Sequence, residues 1–343
     1  MLSVFDYRLS ELIEAIIMKG GKKYNALQVW DWLYRKEIED YGAMTNLPQN
    51  IIQVLKAEFS NTIPKIGKKL KSIDGTIKYL FILEDGLKVE AVLIPEEDRV
   101  TVCLSSQVGC KYNCSFCATG KLGFKRNLTS GEIVGQFKAM QKDYGRRITN
   151  VVYMGMGEPL DNYDQVIRSA DTINDDRGYA VGVRKITIST FGLLSGIRRY
   201  IDDDVRYRLA LSLHNPIEEE RNRIMPSTRK NPLPELFALL REYTEKSKKK
   251  VVFEYVLLDG VNDTPRHANA LKEMLNSLPA KLNLIPYHEN ELEYKCSVSK
   301  TQNEFYNSLQ KQTFPVVFRT SRGKDIAAAC GQLGLKDDFS DDL

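Results

Sequence analysis

Apolar residues in the first sixty positions recur at three-and-four spacing. In YRLSELIEAIIMKGG, Leu9, Leu12, Ile13, Ile16 and Ile17 form one helical stripe, and Gly20-Gly21 supplies a stop. The segments ALQVWDWLYRKEI and LPQNIIQVLKAEF repeat the pattern, the second after Pro48, so residues 1–60 are predicted to be a small helical bundle. From about residue 66 the texture changes. Two apolar runs, KYLFIL and KVEAVLI, joined by Glu84-Asp85-Gly86, predict a β-hairpin extension within 61–98. From 99 to 335 strand-like and helix-like runs alternate. Strands are expected at RVTVCLS, NVVYMGM, KITIST, RLALSLH, VVFEYVLL, KLNLIPY and PVVFRT, with helices such as LTSGEIVGQFKAMQKDYG and LPELFALLREYTEK between them. Such strands, apolar on both faces and joined by helices, imply an α/β core with a parallel sheet, closed as a full or partial barrel. Chemistry in a barrel collects at the carboxyl ends of the strands, where Ser105 to Gln107, Gly155 to Pro159, Ser189-Thr190, His214-Asn215, Asp259-Gly260 and Arg319-Thr320 fall. An acidic tail, 336–343, closes the sequence.

Composition changes this picture little. The 343 residues are 43% apolar, enough for a core, no run approaches 18 uninterrupted apolar residues, and the first residues lack a leader cleavage site. A soluble, cytoplasmic protein is expected. Net charge is only +4, but basic residues clump at Lys65, Lys68, Lys69 and Lys71 and at Arg221, Arg223, Arg229 and Lys230. Such runs are solvated surface or nucleic-acid contacts, and charge alone permits either.

The cysteines matter more. Three of the six fall within CKYNCSFC, as Cys110, Cys114 and Cys117. That is not the pattern of a secreted disulfide framework; it points to metal binding or catalysis. A structural zinc site wants a fourth ligand nearby, and His214, His267 and His288 all lie far downstream. An ordinary ferredoxin cluster also takes four cysteines. Three thiolates on a four-iron cluster leave one iron open to a small molecule. Three core cysteines at chance spacing are the bland alternative.

Cys-x3-Cys-x2-Cys after the first barrel strand, with GMGEP (155–159) ending the next, resembles the signature of radical S-adenosylmethionine (SAM) enzymes. The resemblance implies a [4Fe-4S] cluster held by Cys110, Cys114 and Cys117, with SAM on the open iron as source of a 5′-deoxyadenosyl radical. It also implies a partial (β/α)6-type radical-SAM barrel with a small N-terminal helical domain and a β-hairpin extension. Over nearly the whole chain, DGTIKYLF (74–81), VEAVLIPEEDR (89–99), VCLSSQVGCKYNCSFCATGKLGFKRNLT (102–129), NVVYMGMGEPLDN (150–162), ITISTFG (186–192), LALSLHNP (209–216), EYVLLDGVND (254–263), LNLIPY (282–287) and RGKDIAAACGQL (322–333) resemble the RlmN/Cfr family of RNA methyltransferases.

That family resemblance implies methylation of adenine at carbon 2 (RlmN branch) or carbon 8 (Cfr branch), and DGTIKYLF and IPEEDR look more like the carbon 2 branch. Cys330 is then the carrier that becomes S-methylcysteine, Cys103 the resolving thiol that forms a transient disulfide with it, and Glu90 the proton acceptor. Taken on the residues alone, both cysteines read as core residues and Glu90 as a solvent-facing strand residue. SAM contacts carried over are Gly157, Glu158, Ser189, Ser212, Leu213 and His214. A further contact falls on His288, where the family usually has asparagine; imidazole offers one hydrogen bond in place of the amide's donor-acceptor pair. Cys296 matches no family position and is expected to be a surface or half-buried thiol. The implied partners are 23S rRNA, tRNA and an electron donor such as flavodoxin or ferredoxin, with the chain acting as a monomer. A non-catalytic RNA-binding module with structural metal is the rival from another class.

Overall fold

The computed structural model describes residues 2–288, 292–320 and 322–334; the acidic tail, 336–343, lies outside the described residues. A ten-stranded sheet organises the chain, and its strands lie side by side in sequence order from Lys65–Lys71 at one edge to Val316–Phe318 at the other. The last seven, Val100–Cys103, Asn150–Tyr153, Ile186–Thr190, Arg208–Ser212, Val251–Leu257, Ala280–Pro286 and Val316–Phe318, are mutually parallel and coincide with the seven predicted strands. Helices such as Ser130–Tyr144, Tyr163–Asn174, Leu233–Ser247 and Pro265–Leu275 connect them. The first of these is bounded by its own sequence. Thr129 Oγ1 accepts from Glu132 N–H at 3.2 Å, the Glu132 carboxylate accepts from Thr129 N–H at 2.9 Å, and Gly145 ends the helix at φ +72°.

Residues paired across a sheet project to the same side, so the register sorts the side chains. Val102, Val151, Ile186, Ile188, Leu209, Leu211, Phe253 and Leu282 share one face and join the main apolar core. Lys78, Glu90, Cys103, Ser189, Ser212, Glu254 and Asn283 share the other. The strands were expected to be apolar on both faces, and this second face corrects that. It is the concave interior of a partial barrel, kept polar where the strand ends meet a cavity.

The predicted hairpin strands, Ile77–Ile82 and Lys88–Pro95, pair antiparallel, and the second pairs antiparallel with Val100–Cys103. The hairpin therefore extends the barrel sheet. A third strand, Lys65–Lys71, was hidden in the sequence because KIGKKLK reads as a lysine run. Its side chains alternate exposed and half-buried, and lysines along an edge strand discourage further strand pairing. Lys69 Nζ lies 2.7 Å from Asp143. The predicted N-terminal helices are Leu9–Met18, Lys23–Tyr34 and Gln49–Glu58. Leu12 and Ile16 are buried as expected, whereas Ile17 is 49% exposed. Asp6 Oδ1 accepts from Gly131 N–H at 2.7 Å, pinning this bundle to the first barrel helix. Among the described residues no helix is long and apolar enough to cross a membrane.

Candidate active site

Cys110, Cys114 and Cys117 sit on the loop beyond Val100–Cys103 and line one cavity over the strand ends. The loop is built into the core through its backbone. At Gly109 (φ +73°) the chain runs so close to Gly123 that a Cβ would lie 1.7 Å from the Gly123 carbonyl oxygen, which accepts from Cys110 N–H at 3.0 Å. Ser115 N–H donates to Ile224 O at 2.9 Å, and the Ser115 and Tyr294 hydroxyls are 2.7 Å apart. Among the described residues no three His, Cys, Asp or Glu side chains are grouped to hold a single metal ion. Three thiols lining one cavity suit a multi-iron cluster, in which each thiolate grips its own iron. Burial pushes the Cys110 thiol up to about 12 and the Cys114 thiol well above its ordinary range, so both need a strongly cationic partner to ionise.

The opposite wall comes from the next strand ends. Gly157 (φ +99°) is required by packing, since a Cβ there would lie 2.5 Å from the Gln107 side chain. Beside it, Glu158 is buried; its Oε1 accepts from Leu160 N–H at 3.0 Å and its Oε2 from Phe191 N–H at 2.9 Å. Burial dominates over these bonds and raises its carboxyl to about 7. Ser189 and Ser212 also line the cavity, with hydroxyls 3.5 Å apart. His214 adopts a left-handed backbone (φ +56°), and its Nδ1 accepts from Val256 N–H at 3.1 Å, which puts the proton on Nε2. Burial, with help from Arg221, lowers its pKa to about 3, so the ring is a neutral donor. Leu213 is buried and offers only backbone: its carbonyl accepts from Arg221 Nε at 3.0 Å.

The C-terminal segment brings Cys330 to the same cavity. Its placement explains two of the motifs, because DGTIKYLF, with Ser72 and Ile73 just before it, binds RGKDIAAACGQL. Gly323 N–H donates to Asp74 Oδ2 at 2.9 Å, Ser72 Oγ to Asp325 Oδ1 at 2.5 Å, and Ile73 N–H to Asp325 Oδ2 at 3.1 Å. Further along, Ala118 N–H donates to Gly331 O at 2.8 Å and Thr119 Oγ1 to Leu333 O at 2.6 Å, tying the segment to the cysteine loop. Cys330 is solvent-accessible through the cavity yet deep in the protein mass, and burial raises its thiol. Cys103 is half-buried, and its thiol is pushed to about 12 by burial and then by the charge of Cys330. The two thiols, so distant in sequence, are electrostatic neighbours. Glu90 is fully buried, where the residues alone suggested a solvent-facing position.

Two buried polar groups here, Glu254 and Arg221, are not among the expected site residues. Glu254 lines the cavity, is 4% exposed, and accepts from Asn283 Nδ2 at 2.8 Å through Oε1, while its Oε2 has no hydrogen-bond partner among the described residues and Arg319 stands 3.7 Å away. That orphaned acceptor fits a site awaiting a polar ligand. Arg221, part of a basic run that the sequence leaves open as solvated surface or nucleic-acid contact, is 1% exposed and clasps the carbonyls of Leu213, Phe191 and Ser212. Strict alternation in RLALS and VFEYVL would have flagged Glu254; nothing local flags Arg221. His288 stands apart from the other expected SAM contacts. It lines a second cavity with Cys296, Arg319 and Lys324, and burial lowers its pKa to about 4. Cys296 is half-buried and its sulfur accepts from Gln302 Nε2 at 3.3 Å.

This partial barrel, with three cavity-facing cysteines on its first loop, is a radical SAM fold: residues 104–270 match the model of the radical SAM superfamily. Residues 2–60 match that of the ribosomal RNA large subunit methyltransferase N-terminal domain. A crystal structure of a radical SAM methyltransferase from Sphaerobacter thermophilus superposes with a TM-score of 0.92 at 40% identity, covering 97% of this chain and 99% of that one. A Streptococcus mutans protein named a probable dual-specificity RNA methyltransferase RlmN is 42% identical over 96% of this chain and 94% of its own length. A Petrotoga mobilis protein of the same name is 41% identical over 98% and 97%. The chain belongs to the RlmN family of radical SAM RNA methyltransferases. That family implies a [4Fe-4S] cluster and SAM.

Proposed function

We propose that this enzyme methylates carbon 2 of an adenine in the peptidyl transferase region of 23S rRNA and of an adenine in the anticodon loop of some tRNAs. Cys110, Cys114 and Cys117 hold the cluster; Gly157, Glu158, Ser189, Ser212, Leu213 and His214 surround SAM, with Glu158 accepting from its ammonium group. His288 is the remaining SAM contact, made through one imidazole nitrogen. Cluster and SAM together supply the radical that activates the methyl group.

The chain's own residues do the rest. Cys330 attacks the SAM methyl as a thiolate, forming an S–CH3 bond as the sulfonium bond breaks. Once the activated carbon has bonded to the adenine, the unpaired electron would return to the bound cluster and Glu90 takes the ring proton, leaving an aromatic ring joined to Cys330 through a sulfur-bound methylene. Cys103 then attacks the Cys330 sulfur: the disulfide forms, the sulfur–carbon bond breaks, and its electron pair leaves with the base-bound carbon, which takes up a proton. An external dithiol reduces the disulfide. The observation that carries this reading is that Cys330 shares the cavity with the three cluster cysteines and is felt electrostatically by Cys103. We place the enzyme in the cytoplasm as a monomer served by a flavodoxin or ferredoxin.

Mass spectrometry of the isolated protein tests it. Cys330 is expected to carry a methyl group; fully active protein with unmodified Cys330 overturns the mechanism. Digestion of the RNA product and location of the methyl separates carbon 2 from carbon 8.

A further inference from the structure

Lys78 carries no role in the reading above, yet it stands where two parts of the chemistry meet. It pairs with Val92, which pairs in turn with Cys103, so Lys78, Glu90 and Cys103 project from the same face of the sheet. Lys78 Nζ lies 3.1 Å from Glu90 Oε1, with the two side chains only 3% and 0% exposed. The same Nζ donates to the Ala327 carbonyl at 3.4 Å, three residues before Cys330.

We propose that Lys78 is a positioning residue that fixes the proton acceptor Glu90 relative to the methyl-carrying segment. The inference rests on the roles proposed for Glu90 and Cys330. A charge removed from water is stable only with a partner, so ammonium and carboxylate hold each other in one arrangement. Lysine suits the place because its three N–H donors can serve a carboxylate and a carbonyl together. Proton removal from a ring carbon depends on close alignment of base and proton, which a freely rotating carboxylate would lose. In the step concerned, the C–H bond breaks, its electron pair returns to the ring, the adduct's unpaired electron would return to the bound cluster, and the proton moves to the Glu90 carboxylate. Lys78 exchanges nothing; it sets where the carboxylate points and how far the Cys330 turn stands from it.

The test compares holoenzyme variants K78M, K78R and E90Q with the parent in single-turnover reactions with RNA. Three quantities are read: S-methylation of Cys330, covalent RNA–protein adduct on a denaturing gel, and methylated RNA released. For K78M the expectation is near-normal S-methylation, accumulation of adduct, and release of methylated RNA lower by about a hundredfold, as for loss of a general base. K78R should recover to within about tenfold of the parent. Release from K78M within about twofold of the parent overturns the inference, as does proportional loss of all three quantities, the mark of a merely structural pair. Should K78M fail to fold, K78Q and the charge-balanced K78M/E90Q, monitored by thermal melting, take its place: adduct accumulating in folded K78Q supports the inference and parent-like release overturns it. If E90Q itself accumulates no adduct, the base assignment has failed. If E90Q accumulates it and K78M does not, only the Lys78 role has.

Discussion

The cysteine loop and the Cys330 segment deliver thiols to one cavity, but they are held in different ways. The loop around Cys110, Cys114 and Cys117 is fixed by backbone bonds to Gly123 and Ile224 and by the close approach at Gly109. The segment before Cys330 hangs mainly on side-chain contacts with the turn that joins Lys65–Lys71 to Ile77–Ile82 and with the start of the latter strand: Asp74 to Gly323, Asp325 to Ser72 and Ile73, Lys78 to Ala327. Backbone bonds in a core do not open without local unfolding, whereas carboxylate contacts near the surface compete continually with water. The difference matches the tasks proposed. A cluster needs three fixed ligands, while Cys330 must meet a sulfonium methyl, an RNA base and Cys103 in turn.

Replacing either kind of thiol breaks this contrast most severely. Cys117→Ser should remove the cluster; iron content and RNA methylation should both fall to background, and retained iron would refute the ligand set. Cys103→Ala should leave the iron and the Cys330 methyl in place but stop release, so that covalent RNA adduct builds up on a denaturing gel. Chelation of iron from the intact protein should reproduce the first phenotype, not the second.

Affinity for SAM should depend on pH through Glu158. Burial raises its carboxyl to about 7, and only the ionised form accepts from an ammonium group. Dissociation constants measured by equilibrium dialysis should therefore be level above pH 8 and about tenfold weaker one pH unit below that pKa. Glu158→Gln should be weak at every pH.

The Asp74 clasp offers a smaller effect. Burial opposes ionisation of Asp74, but bonds from Gly323, Thr76 and Ser72 outweigh it and lower its pKa to about 2. A carboxyl depressed in this way adds stability that is full above about pH 4 and lost as pH falls toward 2. Asp74→Ala should cut hydrogen-exchange protection at the Ala328 N–H by roughly tenfold without changing that at Cys110 N–H. Equal loosening of both would erase the distinction between loop and segment. Smallest should be the RNA effect of reversing charge at Lys68 and Lys69, partly because Lys69 already pairs with Asp143. RNA binding should weaken more at low salt than at high salt.

Much of the fold and of the site is legible in the amino-acid sequence. Seven barrel strands and the hairpin pair are marked by apolar runs between turn residues, and the cysteine loop by its spacing. The Lys65–Lys71 strand is not, because an edge strand has one half-buried face and lysines on the other, and its composition looks like solvated loop. Burial of Glu90 is hidden for a related reason: a strand residue flanked by apolar neighbours can face water or a polar barrel interior, and alternation alone gives no sign which. Arg221 shows the limit most sharply. Its partners are carbonyls at the ends of strands, and carbonyls leave no trace in a sequence. The mutual binding of DGTIKYLF and RGKDIAAACGQL likewise becomes visible only when the chain is folded.

The central claim is that the methyl group reaches RNA by way of Cys330. The most direct measurement loads the enzyme with a trideuterated methyl on Cys330, supplies unlabelled SAM, and weighs the methyl group of the first-turnover RNA product. Transfer through Cys330 predicts a methyl with two deuterium atoms and one hydrogen, since one deuterium is abstracted and one proton is later taken up. A first-turnover product carrying no deuterium would contradict the account.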